Sequence, residues 1–135
     1  MADILQADHP TSLITGAASG IGKAIAQHAY KEGHNLILVD IDEINLIETS
    51  DQFKTTNKIE IIADLSSYED ISKLKKTVDS QCNVVNYLFN NAGIFLEGRS
   101  WKLSSDAWSK IININLLATI RTVSYTHLRA HETCL

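Results

Sequence analysis

Three glycines crowded behind a short apolar run limit this chain more than any other feature. Thr11-Ser12-Leu13-Ile14-Thr15 has the β-branched, apolar character of a strand, and Thr15-Gly16-Ala17-Ala18-Ser19-Gly20-Ile21-Gly22 follows from its end with the spacing G-x-x-x-G-x-G. Glycine tolerates the left-handed backbone of a sharp turn, so Gly16 lets the chain leave the strand abruptly. Gly20 and Gly22 remove side chains where backbone must approach a pyrophosphate. Residues 21–32 then place Ile21, Ile25 and Ala29 four apart, the spacing of one buried helix face. A strand turning through glycines directly into a helix is the start of a β–α unit.

The remainder repeats that unit. Gly33 is placed as a left-handed cap behind the helix. Asn35–Asp40 has no polar alternation, as a strand covered on both faces should. Asp42 caps a second helix to about residue 55, and Ile59–Ala63 forms a third strand. Ser66 with Glu69, or Ser67 with Asp70, opens a third helix as a capping box, with Ile71, Leu74 and Val78 as its buried stripe. Asn83–Phe89 is a fourth strand, and Asn90-Asn91-Ala92-Gly93 is its exit. Ser104 or Ser105 then caps a helix running from Asp106 past Thr119. Strict alternation implies parallel strands joined by right-handed crossovers. The expected class is α/β, half of a doubly wound parallel sheet in one domain.

The glycine turn also suits an anion. Amides at a helix N-terminus carry partial positive charge, and bare glycines let a diphosphate approach them. Asp40 ends the second strand 18 residues after Gly22. A carboxylate there accepts from both hydroxyls of an adenosine ribose and repels a 2′-phosphate. No Lys or Arg lies in residues 17–19 to neutralise that phosphate, so the pattern favours NAD over NADP.

Charge and composition exclude other classes. Twelve Lys and Arg against sixteen Asp and Glu give −4, with no basic footprint for nucleic acid. Residues 1–70 hold four basic and twelve acidic groups, and residues 71–135 hold eight and four. Lys73, Lys75 and Lys76 form a solvated helix face. Apolar runs stay far below the roughly 20 residues that a bilayer demands, so no membrane partner is expected. Cys82 and Cys134 make no disulfide framework, and Met1-Ala2-Asp3 opens no secretory leader. A cytoplasmic setting is the expectation.

Together these motifs resemble the short-chain dehydrogenase/reductase family over residues 11 to 123. Thr15–Gly22 is similar to its cofactor signature, Asp64-Leu65 to its adenine-contacting pair, and Asn90–Gly93 to its sheet-stabilising N-N-A-G. Trp108 to Leu116 resembles the stretch bearing its active-site asparagine. The resemblance implies the N-terminal half of a Rossmann-type sheet with strand order 3-2-1-4. It implies an NAD-binding site drawn from Thr15, Gly16, Ala18, Ser19, Gly20, Ile21, Gly22, Asp40, Asp64, Leu65, Asn91, Ala92 and Gly93. It further implies hydride transfer between nicotinamide and a small alcohol or carbonyl substrate, in a parent that forms homo-oligomers through the helix beginning near Asp106.

In that family a tyrosine is the acid/base, a lysine lowers its pKa, a serine orients the carbonyl and an asparagine holds a relay water. Asn115 matches the asparagine, with Asn113 as the competing position. Ser124-Tyr125 with Arg129 does not substitute for the rest. Tyr125 falls ten residues after Asn115, inside the same expected helix, and arginine lacks lysine's compact ammonium. Residues 1–10 read as a lead-in, 11–123 as an incomplete nucleotide domain, and 124–135 as foreign sequence. His127, His131, Glu132 and Cys134 are not expected to bind metal. The expected product is a fragment without turnover, prone to association through an uncovered sheet edge. The alternative is a non-enzymatic NAD-binding module. A flavodoxin-like or response-regulator domain fits the ordered motifs poorly.

Overall fold

The computed structural model describes residues 5–132, with side chains as far as Tyr125. Four strands alternate with helices: β1 (Thr11–Thr15), α1 (Gly20–Lys31), β2 (Asn35–Asp40), α2 (Glu43–Asp51), β3 (Lys58–Ile62), α3 (Tyr68–Gln81) and β4 (Tyr87–Phe89). A 3₁₀ turn at Ser100–Lys102 precedes α4 (Ser105–Ile112), a π-helical segment (Asn113–Leu117) and α5 (Ala118–Glu132). All strands are parallel in the order β3-β2-β1-β4, the order that the family resemblance implied.

Strand pleating divides the core in two. Leu13 stands opposite Ile37 and Leu88, and Ile37 opposite Ile59, giving one apolar row across the sheet. That row packs under Ile71, Leu74 and Val78 of α3 and Ala118 of α5. The next residues along, Ile14, Leu36 and Leu38, face the other way, onto Ala26 and Ala29 of α1 and Leu46 of α2. Both faces of β1 and β2 are therefore covered, which is why neither strand alternates with polar residues.

Local chemistry sets most boundaries. Gly33 takes φ +79°, with its amide on the Tyr30 carbonyl and the His34 amide on Ala29, a complete Schellman cap. Asp42 and Ser104 cap α2 and α4 by accepting from Asn45 and Ala107. Ser67, rather than Ser66, caps α3. Its box is only half made, because Asp70 turns its carboxylate to the Asp64 amide at 2.9 Å. Lys73 and Lys75 pair with Glu69 and Asp79 on the solvated face of α3.

Four expectations are corrected. Ile21 is 72% exposed, and α1 buries Gly22, Ala26 and Ala29 instead. The helix can approach the sheet only along its smallest residues, and that rotation swings Ile21 outward. α2 stops at Asp51, because Phe53 turns into the core against Tyr30, while Lys58 Nζ bonds the Ser50 and Phe53 carbonyls. β4 is three residues long, pairing only with Ser12–Ile14. Asn86 ends the ladder by accepting the Thr11 amide on its side chain at 2.7 Å. Finally, the long helix after Ser104 is interrupted by the π segment.

Asn35 fastens the lead-in beneath the sheet. It is buried, donates to Gln6 O at 2.7 Å, His9 O at 3.0 Å and Thr11 Oγ1 at 3.1 Å, and accepts from the Gln6 amide. Asn35→Ala strands these partners and should cost about 2–3 kcal/mol. Urea unfolding checks this; a loss below about 0.5 kcal/mol would leave the network without energetic weight.

Candidate functional site

A cleft of about 570 Å³ opens where the four strands end. β1 contributes the glycine turn, β2 contributes Asp40, the segment after β3 contributes Ala63–Leu65, and β4 contributes Asn91–Ile94. Lys110 and Ile114 close it from α4 and the π segment.

The turn is rigid on one side and open on the other. Gly16 has φ +68° and Gly20 φ +53°. A Cβ on Gly20 would meet no atom within 4 Å, so its bare backbone faces the cleft. Gly22 works inwardly: a Cβ there would lie 2.0 Å from the Gly16 carbonyl oxygen. The sequence reading gave both glycines to ligand approach; the structure separates them. Ser19 precedes α1 in extended conformation without returning its hydroxyl to the first-turn amides, and no acidic residue occupies that turn. The positive end of the helix is left to the cleft.

Asp40 is half-buried and oriented by backbone. Its Oδ2 accepts from the Ala18 amide and its Oδ1 from the Asp42 amide, both at 3.0 Å. A carboxylate has about four lone-pair sites, so acceptor capacity remains on the cleft side. Ala18 itself is buried; it positions Asp40 rather than lining the cleft.

Thr15 and Asn91 brace β1 to β4. The buried Thr15 hydroxyl accepts from the Asn91 and Ala92 amides at 3.1 and 3.0 Å and donates to Phe89 O. Asn91 Nδ2 donates to Thr15 O and Gly16 O at 3.2 and 3.3 Å. A Cβ on Gly93 would lie 3.4 Å from Asn115 Oδ1, an ordinary contact. Asn115 lies in the π segment and clamps one residue twice, accepting from the Ile94 amide at 2.8 Å and donating to its carbonyl at 2.9 Å.

Of the sequence-derived residues, Gly16, Ser19, Gly20, Ile21, Asp40, Asp64, Leu65, Asn91, Ala92 and Gly93 line the cleft. Thr15, Ala18, Gly22 and Asn115 stand behind it. Ile41, Ala63, Ile94, Lys110 and Ile114 line it without having been singled out. Lys110 and Ile114 are one helical turn apart, which puts them on one face, but nothing local in the sequence directs that face to the cleft. Tyr125 lies elsewhere, beside Leu13, Leu74 and Val78, with Lys75 Nζ 5.7 Å from its ring centre. The histidine, glutamate and cysteine side chains of the 127–134 grouping fall outside the described residues.

Asp64 accepts from the Ser66 hydroxyl at 2.6 Å and the Ser66 amide at 2.9 Å. These bonds, with a weaker attraction from Lys110, hold its carboxyl below the usual aspartate range despite partial burial. A lowered folded pKa adds stability above the unfolded value, and that stability is lost as pH falls through the folded one. An NMR titration of Asp64 should give a midpoint under about 3.9, the unperturbed value. A midpoint at or above it contradicts the Ser66 contacts.

The two glycines also separate by cost. Gly22→Ala forces helix and turn apart and should destabilise by about 1–3 kcal/mol or more. Gly20→Ala carries only the left-handed backbone penalty, about 1 kcal/mol. Parallel urea titrations read the order, and a larger loss at Gly20 would contradict it.

Comparison with known proteins follows the same lines. The family model described as short chain dehydrogenase matches residues 10–129, running beyond Val123. A diacetyl reductase [(S)-acetoin forming] of Staphylococcus epidermidis is 31% identical over 112 residues, covering 82% of this chain and 44% of that protein. A short-chain dehydrogenase/reductase from Burkholderia phymatum, solved in complex with NAD, superposes with a TM-score of 0.81 at 29% identity, covering 93% of this chain and 44% of its own. A short-chain dehydrogenase from Sphingobium yanoikuyae, in complex with NADPH, gives 0.82 at 27%, covering 92% and 50%. The chain thus spans about half the length of the relatives it matches. No helix among the described residues is long and apolar enough to cross a membrane.

Proposed function

The chain belongs to the short chain dehydrogenase family, and from that premise we propose that its cleft binds NAD as the cofactor half of an alcohol/carbonyl oxidoreductase. The observation that carries this reading is the pairing of Gly20 and Asp40 across one cleft. Open glycine backbone at a helix N-terminus suits a diphosphate. A carboxylate fixed on the turn's own Ala18 amide suits an unmodified ribose diol. Relatives with either nucleotide share this fold, so Asp40 is the residue that discriminates. Lys110 is the cation lining the cleft among the described residues, and it sits on the Asp64 side.

The residues fit the group by role. Gly16, Ser19, Gly20 and Ile21 would hold the diphosphate; Asp40 would hold the ribose; Asp64, Leu65 and Ile114 would hold the base. Thr15, Ala18, Gly22 and Asn91 act as positioning residues. Bound nicotinamide supplies a hydride acceptor or donor for a secondary alcohol or ketone. Asn115, clamped on Ile94, fixes the wall where that chemistry would lie. None of the chain's four tyrosines is followed by lysine four residues on. Tyr125 packs toward α3, away from the cleft lining. In this reading the 135 residues bind nucleotide without turnover, and substrate conversion in a homo-oligomer is a property proposed of the whole protein.

Calorimetric titration decides the cofactor. The unsubstituted chain should bind NAD at least about tenfold more tightly than NADP, and Asp40→Ala should erase most of that difference. Tighter NADP binding by the unsubstituted chain overturns the ribose assignment.

A further inference from the structure

The cleft is short of positive charge for the ligand assigned to it. Two carboxylates, Asp40 and Asp64, line it, and a dinucleotide brings anionic phosphates. Lys110 is the cation on its wall among the described residues, projecting from α4 across from the end of β3. The ion pairs within 4 Å among those residues, Lys73–Glu69 and Lys75–Asp79, do not involve it. Its ammonium rides on a flexible four-carbon stem and is exposed. It lies near enough to Asp64 to attract that carboxylate.

We infer that Lys110 is the charge-compensating residue of the cleft, offsetting Asp64 so that an anionic nucleotide can settle between two carboxylates. This rests on the nucleotide-binding reading above. Because the effect is Coulombic, it acts on phosphorylated ligands and not on neutral nucleosides, and it fades with salt.

The test is calorimetry with ADP, NAD and adenosine on the full chain and on K110Q and K110R. In about 50 mM salt, K110Q should weaken ADP and NAD about three- to tenfold and leave adenosine unchanged. K110R should bind like the unsubstituted chain, and about 0.5 M salt should erase the difference. Matching circular dichroism melts would show that folding is unaffected. Equal ADP affinity for K110Q and the unsubstituted chain overturns the inference, as does an equal loss for adenosine, which would mean stem packing. If the unsubstituted chain binds none of the three ligands, the nucleotide reading fails first and takes this inference with it.

Discussion

The contact between the Gly16 carbonyl and the bare Cα of Gly22 sets the geometry of the whole site. With no room there for a methyl group, α1 starts directly against the turn that leaves β1. That closeness aims the helix N-terminus at the cleft and rotates its small residues onto the sheet. Asn91 then reads the same turn from the other side, donating to Thr15 O and Gly16 O. The loop after β4 is thereby registered against the loop after β1. A ligand entering the cleft meets backbone that is already held, so little ordering entropy remains to be lost on binding.

Electrostatics trade selectivity against attraction. Asp40 and Asp64 are both kept in place by short local donors, the Ala18 and Asp42 amides for one and Ser66 for the other. In the proposed reading Asp40 favours a ribose diol over its phosphate ester, while both carboxylates oppose the approach of a diphosphate. The helix terminus and, by the inference above, Lys110 would oppose that repulsion from two sides of the cleft.

Across the cleft, the π segment has a mechanical role. One extra residue per turn offsets Asn115 from the regular helix, and its side-chain amide mimics a strand partner for Ile94. α5 resumes beyond it and packs on α3 through Arg121 over Tyr68 and Lys75 over Tyr125. The sheet margins are treated unequally. β3 carries Lys58 and Glu60, both bonded back to α2, which guards its edge. β4 has no such guard among the described residues, and Trp108, Ile112, Leu116 and Ile120 form an exposed apolar stripe at four-residue intervals.

Composition and local periodicity already placed four strands in alternation with helices, the caps at Gly33 and Asp42, and the pairing of a glycine turn with Asp40, because those signals act over a few residues or follow from β–α alternation. The family resemblance added the strand order. What the sequence could not resolve were choices between locally equivalent options. Ile21-Ile25-Ala29 and Gly22-Ala26-Ala29 are both helix faces, and only the steric limit at Gly16 selects the second. The run 83–89 is apolar enough for a long strand, yet Asn86 ends the ladder with its side chain. An extra residue in a helix hardly disturbs apolar spacing, so the π segment left no mark. Tertiary structure alone brought Lys110 and Ile114 across from helices far along the chain to face Asp64, because convergence in space depends on how whole elements pack and not on the residues beside each one.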